Sequence, residues 1–542
     1  MMLLIKKISN TLKPNRASFY IFLCGLSSIF LFAPFHVFLL GFIIFPYLGI
    51  KIFESKNFKE NFNLLFYFYL GFYFGNYYWI SFSFLVNKNY SIFFPIIFIV
   101  IPLYFSLFSS LFLSLIFIIK NKFKLNIKSF YLCFSLLLCV HEVFRGNILP
   151  LIDFKGLPWN LLGYSLSISD NLIQITSIIG IYGLTFITIY LYSSAIFIFY
   201  KKNMKYSLLI FMLNFIIIAS LYIYGKNRIE NNETKKITDN KFQLIHTNII
   251  DHHNYDNNKI INNIDNLVNI ILKEAVPNSI IILPEGSIPV VTESLNDTTI
   301  YNPAITYMLN NLPNLNFKYL ITSSITLREK DDVIAHYNSI HNISYKREFE
   351  SSYDKINLVP FGEYIPYLSI LPRIATQTNF FPGTNSTPLT LNINKKNTIS
   401  YIALICYDAI FSGKMSKEGD FLLNISNDIW FTKKIKQRNI SLGSWQHFDQ
   451  VRFRAIEEGK PLIRITNYGV TAVVNSFGEV ITKLDFNSKK NAITTNLPPK
   501  STNPTFFNQY RHFIAWVFII INLITFIIII IAKTPPLLNK NQ

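Results

Sequence analysis

A multi-span α-helical membrane domain joined to an extracytoplasmic α/β sandwich is the fold class this sequence predicts, and three observations lead to it. Seven long apolar runs precede residue 225 and an eighth follows residue 509. The stretch between them alternates short apolar runs with polar loops. Basic residues gather in every second loop between the apolar runs.

The 542 residues are 51% hydrophobic, with a mean hydropathy of +0.32, which is more apolar than an ordinary soluble protein. A bilayer crossing needs about 20 apolar residues. Runs near that length lie at Phe19 to Phe32, Phe35 to Ile52, Leu64 to Val86, Ile92 to Ile119, Phe130 to Phe144, Leu172 to Tyr200, Tyr206 to Tyr224 and Phe513 to Ala532. The first two are short and joined at Pro34, whereas the last is unbroken and is followed by Lys533, Pro535 and Pro536. No small-residue cleavage site follows the first run, so it reads as a retained span rather than a signal peptide. The expected domains are therefore 1–224 with seven spans, 225–509 as one globular domain, and 510–542 as the eighth span with a short tail.

Charge gives these spans a direction. Lys6, Lys7, Lys13 and Arg16 precede the first span, and Lys51, Lys56 and Lys59 follow the second. Lys120, Lys122, Lys124 and Lys128 follow the fourth, and Lys201, Lys202 and Lys205 the sixth, while the alternate loops hold chiefly Lys88, Arg145 and Lys155. Basic loops stay in the cytoplasm, so both ends are expected there and 225–509 on the far side. The net charge of +19 is then partly a topology signal, and no aromatic-and-basic pattern points to nucleic acid.

In the polar region, strands are expected at Phe242 to Thr247, Ser279 to Leu283, Tyr319 to Ile325, Ser339 to Ser344, Ile399 to Ile405, Phe421 to Ser426, Leu462 to Thr466 and Thr471 to Asn475. Helices are expected at Lys259 to Glu274 and Ser444 to Glu458. Their alternation points to an α/β sandwich, in which ligands gather beyond the carboxyl ends of strands.

Two such exits and a third segment carry reactive groups. Ile281-Ile282-Leu283-Pro284-Glu285-Gly286 places a carboxylate just past a strand, and Ile405-Cys406-Tyr407-Asp408 places a thiol at another. Between them, Lys355 precedes an apolar stretch that ends in Pro360-Phe361-Gly362-Glu363. The cysteines at 24, 133, 139 and 406 have neither disulfide nor zinc spacing. A thiol with a pKa near ~8.5 needs a base or a cation to act as a nucleophile. Glu285 is a candidate base, Lys355 a candidate oxyanion stabiliser, and Glu363 and Asp408 second acids able to orient the lysine or relay a proton. Spacing alone leaves a plainer reading open, with Cys406 a core residue, Lys355 a surface charge and Glu285 a turn residue.

The ordered blocks Pro284-Glu285, Lys355 through Leu358-Val359-Pro360-Phe361-Gly362-Glu363-Tyr364, and Ile405-Cys406-Tyr407-Asp408 resemble the Glu, Lys and Cys motifs of the nitrilase superfamily. Within it the chain is similar to the membrane-embedded apolipoprotein N-acyltransferase branch. Asn424-Ile425-Ser426-Asn427-Asp428-Ile429-Trp430-Phe431, Arg452-Phe453-Arg454-Ala455-Ile456-Glu457 and Thr466-Asn467-Tyr468-Gly469-Val470-Thr471 extend the resemblance. In the membrane half it includes Ala33-Pro34-Phe35, Glu142 with Arg145-Gly146, Pro158-Trp159, Gly163-Tyr164-Ser165 and Gly180-Ile181-Tyr182-Gly183.

The resemblance implies a nitrilase-like αββα sandwich and acyl transfer in two steps. Cys406 would take an acyl chain from a phospholipid as a thioester, and the α-amine of a diacylglyceryl-cysteine apolipoprotein would receive it as an amide. It also implies Glu285 as general base, Lys355 as oxyanion stabiliser, Glu363 in support and Tyr407 beside the nucleophile. The expected partners are membrane lipid and lipoprotein, at the periplasmic face of a bacterial inner membrane, with no metal or other cofactor. Asp408 stands where a glutamate is usual, and His246-Thr247-Asn248-Ile249 and Tyr255 also depart from the family pattern.

Other features read plainly. His141 is expected to be an interfacial histidine bonded to backbone, and Glu142 with Arg145 a structural pair, a lipid headgroup contact being the alternative. His252-His253 lacks a third metal ligand at useful spacing. Two other functions stay open: a membrane-tethered amidase that passes its thioester to water, and a transporter with an extracytoplasmic domain. The transporter reading predicts ionisable residues inside the spans, whereas charges here crowd the ends.

Overall fold

The structure, a computed structural model, describes residues 16–531 apart from 87, 148–155, 201–203, 247–256, 289–290, 294–299, 302, 313–315, 331–332, 365–379, 395–396, 436–437 and 489. The described chain forms two compact units. One comprises 16–147, Gly156–Arg228 and 510–531, and the other Ile229–Gln509. His252, His253, Tyr255 and the stretch Thr247-Asn248-Ile249 lie outside the described residues.

The first unit is helical: Arg16–Leu26, Gly41–Glu54, Phe58–Tyr77, Phe94–Leu113, Leu115–Lys122, Ile127–Asn147, Thr176–Ser194, Met204–Asn231 and Phe506–Ile531. Among the described residues, four stretches are long and apolar enough to cross a membrane: Ser91–Lys122, Ile127–Asn147, Thr176–Phe199 and Lys205–Asn231. Two expected spans differ for local reasons. Gly41–Glu54 has 14 residues, about 21 Å at the α-helical rise. The run expected at Leu64 to Val86 is broken, because the helix Phe58–Tyr77 gives way to a 3₁₀ turn over Tyr78–Phe82.

Helices Arg16–Leu26 and Phe58–Tyr77 meet backbone to backbone. A Cβ on Gly25 would lie 1.9 Å from the Phe68 carbonyl oxygen, and one on Gly71 2.1 Å from that of Phe22. Small residues allow such approaches between helices that hydrocarbon would otherwise separate.

The charged pair in this unit is inward and structural. Arg145 is fully buried and donates to both Glu142 oxygens (3.1 and 2.7 Å), to the Tyr77 hydroxyl (2.5 Å) and to the carbonyls of Leu157 (3.0 Å) and Trp159 (2.8 Å). Protein acceptors on each side of the guanidinium satisfy a charge that is costly to bury alone, which favours the structural reading over headgroup contact. His141 differs from expectation: it is fully buried, with Nε2 2.8 Å from the Ser109 hydroxyl rather than on backbone.

The second unit is a four-layer αββα sandwich. One sheet runs in the order Ala492–Asn496, Lys241–Ile245, Ile280–Ile282, Tyr319–Lys330, Val291–Glu293, Ile300–Tyr301, and Val333–Ser344 and Phe349–Asp354 extend from Tyr319–Lys330. The other runs Val480–Leu484, Thr471–Val474, Leu462–Asn467, Phe421–Asn427, Asn397–Ile405, Leu389–Asn394. Each has a parallel centre. Lys241–Ile245, Ile280–Ile282 and Tyr319–Lys330 pair parallel in the first, and Asn397–Ile405, Phe421–Asn427 and Leu462–Asn467 in the second.

Alternate residues along these strands feed different cores, which is why the central strands read as continuous apolar runs. Phe242, Ile282 and Ile321 meet Tyr401, Ala403, Leu423 and Ile463 between the sheets. On the outer face of the first sheet, Ile281, Leu283 and Leu320 pack with Leu267 and Ile271 of the helix Asn257–Glu274. On the outer face of the second, Ile402, Leu404 and Leu422 pack with Phe448, Val451 and Ala455 of the helix Leu442–Glu458. That helix starts where the Ser441 hydroxyl accepts the Ser444 amide and ends at Gly459, whose φ of 66° suits glycine.

The pair Tyr319–Lys330 and Val333–Ser344 runs longer than the expected Tyr319 to Ile325 and Ser339 to Ser344, and its two strands remain paired out to Lys330 and Val333. Its outer end includes the charged run Arg328-Glu329-Lys330, which breaks the apolar pattern at the hairpin. The exits of Ile280–Ile282, Asn397–Ile405, Phe421–Asn427 and Leu462–Asn467 carry the polar groups described next.

Candidate active site

Glu285 sits in a turn whose next residue, Gly286, has φ 67°. Ser287 Oγ closes the turn on the Pro284 carbonyl (2.6 Å). Asn338 Nδ2 donates to Glu285 Oε1 (2.8 Å) and the Asn427 amide to Oε2 (2.7 Å). Burial lifts this carboxyl to about 7 against the lowering pull of Lys355.

Lys355 leaves the edge strand Phe349–Asp354 and is 1% exposed. Its amide donates to the Asn338 carbonyl (2.9 Å), and its own carbonyl accepts from Gly383 (2.8 Å). The ammonium donates to Glu363 Oε1 (2.8 Å). Burial alone would lower this lysine, but the carboxylates of Glu363 and Glu285 outweigh it and hold the ammonium charged, above its ordinary range.

Glu363 is fixed by the turn it closes. Oε1 also accepts from Asn338 Nδ2 (3.0 Å), and Oε2 accepts the Val359 amide (2.7 Å). Phe361, between them, takes φ 62° and is 58% exposed.

Cys406 follows the strand Asn397–Ile405 in a left-handed conformation, φ 46°. Burial and the Glu285 charge push the thiol up to about 12, with Lys355 opposing them. The resting group is therefore a thiol that feels the charges of both the Glu285 carboxylate and the Lys355 ammonium. Tyr407 flanks it, half-buried, its ring edge-on to Phe411 at 5.0 Å.

Asp408 sits differently from a lysine-orienting acid. Its oxygens accept from the Ile405 amide (3.2 Å), the Asn357 amide (2.7 Å), Asn357 Nδ2 (2.9 Å) and the Tyr353 hydroxyl (3.0 Å). It clamps the backbone on either side of the site, and its charge still adds to those that favour the Lys355 ammonium.

Sequence reasoning missed several groups the structure brings here. Asn338, on Val333–Ser344, bridges Glu285 and Glu363 through one amide nitrogen. Asn427 supplies the amide for Glu285, and Asn424 Nδ2 donates to the Leu404 carbonyl (3.1 Å). Both lie in the block Asn424 to Phe431, whose resemblance to the family was the available signal. Asp428 is held low, at about 2, because Arg464 and then His447 outweigh its burial.

Cys406, Asp428 and His447 bring ligand-type atoms within 4.8 Å of one another. Arg464 Nη2 already occupies that carboxylate at 3.1 and 2.9 Å and lies 3.2 Å from His447 Nδ1. A resident cation fits poorly beside a guanidinium in that position.

The family model of the apolipoprotein N-acyltransferase N-terminal domain matches residues 24–194, and that of carbon-nitrogen hydrolases matches 245–505. An apolipoprotein N-acyltransferase of Rickettsia prowazekii is 32% identical over 497 residues, covering 91% of this chain and 94% of that protein. One of Wigglesworthia glossinidia brevipalpis is 33% identical over 383 residues, 68% of this chain and 70% of that protein. Both domain matches fall on the units that carry the apolar helices and the αββα sandwich, and the chain belongs to the apolipoprotein N-acyltransferase family.

Proposed function

We propose that the chain transfers an acyl chain from a phospholipid, through a thioester on Cys406, to the N-terminal α-amine of a diacylglyceryl-cysteine apolipoprotein. The convergence of Glu285, the Lys355–Glu363 pair and the left-handed Cys406 at one set of strand exits carries this reading. The names of its relatives support an apolipoprotein as the acceptor and N-acylation as the reaction; the phospholipid donor belongs to this proposal.

Cys406 Sγ attacks the ester carbonyl carbon as Glu285 takes the thiol proton. The Lys355 ammonium lies beside the charge that develops on the carbonyl oxygen. Collapse breaks the ester C–O bond, and Glu285 returns the proton to the departing lysophospholipid oxygen. In the second half the acceptor amine attacks the thioester, Glu285 receives its proton, and Sγ leaves and is reprotonated. A carboxylate near pH 7 suits both directions of transfer. The second step runs from thioester to amide and needs no nucleotide.

The basic loops support the topology expected above: eight spans, with the sandwich on the periplasmic face of an inner membrane, where both lipid-anchored substrates are within reach. Incubation with a labelled phospholipid and a diacylglyceryl lipopeptide tests the function. The expected product is N-acylated lipopeptide; free fatty acid without amide would instead mark a membrane-tethered hydrolase.

Asn338 offers a narrower test. Its amide donates to Glu285 in a way that favours the ionised carboxylate. Asn338→Leu is expected to move the acid limb of the rate profile upward and to slow acylation. An unchanged limb would separate Asn338 from the base.

A further inference from the structure

A non-glycine residue held in the left-handed region persists only where its surroundings over-determine it. At Cys406, φ 46°, those surroundings can be named. Asp408 Oδ2 accepts the Ile405 amide (3.2 Å), Asn424 Nδ2 holds the Leu404 carbonyl (3.1 Å), and His447 Nε2 lies 3.3 Å from the carbonyl oxygen of Cys406 itself. His447 is 1% exposed on the helix Leu442–Glu458.

The other ring nitrogen decides what His447 can do. Nδ1 lies 3.3 Å from Asp428 Oδ1 and 3.2 Å from Arg464 Nη2. Arg464 is tied in turn to both Asp428 oxygens and to Asn424 Oδ1. A backbone carbonyl only accepts, so Nε2 must carry a proton to bond Cys406. Nδ1 then either carries a second proton, creating an imidazolium against a guanidinium, or accepts from Arg464. Burial and the Arg464 charge hold His447 below its ordinary range, which leaves the neutral Nε2–H tautomer.

Cys406, His447 and Asp428 share the composition of a Cys-His-Asp proton-transfer set, but the ring points its N–H at a carbonyl and has no lone pair free to take the thiol proton there. We propose that His447 is a positioning residue: Arg464 fixes its tautomer through Nδ1, and Nε2–H pins the Cys406 carbonyl and the left-handed turn that presents the thiol to Glu285. The inference rests on Cys406 as the acylated nucleophile.

Two variants separate positioning from base catalysis. The amide of His447→Gln keeps a donor near the place of Nε2, whereas His447→Leu keeps bulk without one. Leu is expected to lower kcat for acylation by about 10²-fold at unchanged KM for the phospholipid, the scale of a misplaced reacting group. Gln is expected to stay close to the native kcat. A Leu variant with native kcat overturns the proposal, and so does a Gln variant as impaired as Leu or unable to fold, the first being what a general base would give.

Should His447→Leu fail to fold, nitrogen-15 NMR of the native protein decides, with His447 assigned by its loss in the Gln variant. A proton on Nε2 alone supports the proposal; Nδ1–H or a doubly protonated ring overturns it. Native protein without a thioester on Cys406 would instead refute the nucleophile reading and leave the tautomer result standing.

Discussion

Lys355→Ala is expected to slow acylation of Cys406 by about 10²- to 10³-fold, the usual cost of removing one fixed donor from a developing oxyanion. The ammonium is 1% exposed, held 2.8 Å from Glu363, and kept charged by the carboxylates around it. It therefore needs no reorganisation when the carbonyl oxygen gains charge.

A second signature separates this role from general damage. Lys355 is the strongest of the groups that restrain the rise of Glu285, ahead of the Asn338 and Asn427 hydrogen bonds, so its loss moves Glu285 further above 7, and the acid limb of the acylation rate should shift upward. Removing one member of a buried ion pair typically costs about 3–5 kcal/mol, so folding of the variant is checked by thermal unfolding alongside the rate. Near-native acylation at every pH would remove Lys355 from the chemistry.

Glu285→Gln is expected to cost about 10²- to 10⁴-fold and to flatten the pH dependence. The sign follows from the raised carboxyl. In the native enzyme Glu285 is protonated below about 7 and a base above it, so acylation should rise through that pH and level off beyond it. The thiol near 12 supplies almost no thiolate independently in that range. The glutamine side chain keeps the shape of the site while losing the ability to take a proton. Stopped-flow acylation across pH 5 to 9 checks this, and a Gln variant that retained the inflection would assign the base to another group.

Much of the sandwich was legible because its central strands are buried on both faces. Ile399 to Ile405 and Phe421 to Ser426 read as apolar runs, and each ends where a polar residue must face the site. The edge strands Leu389–Asn394 and Val480–Leu484 were not legible, since each has an exposed face and mixes apolar with polar residues. The eight apolar runs were plain, but their helical lengths were not, because breaks such as Gly180, φ 66°, leave no mark on hydropathy.

At the site, Glu285 and Cys406 were legible as strand-exit groups, and Lys355 only through its place in the ordered motifs, since the strand Phe349–Asp354 that it leaves was not expected. Asn338 was not, as one polar residue within a strand of an Asn-rich chain. The Asp428, His447 and Arg464 cluster was hidden more deeply. Its members come from a 3₁₀ turn, a helix and a strand, and only the packing of that helix on the sheet brings them together.

The central claim is the acyl-enzyme, and one experiment meets it directly. Purified, detergent-solubilised protein is incubated with a phospholipid labelled in its acyl chain, with no acceptor present, and the labelled protein is treated with neutral hydroxylamine. The account predicts label that hydroxylamine releases, that is absent from Cys406→Ala, and that passes to a lipopeptide amine when one is added. Label of equal amount on Cys406→Ala, or none on folded native protein, would contradict it.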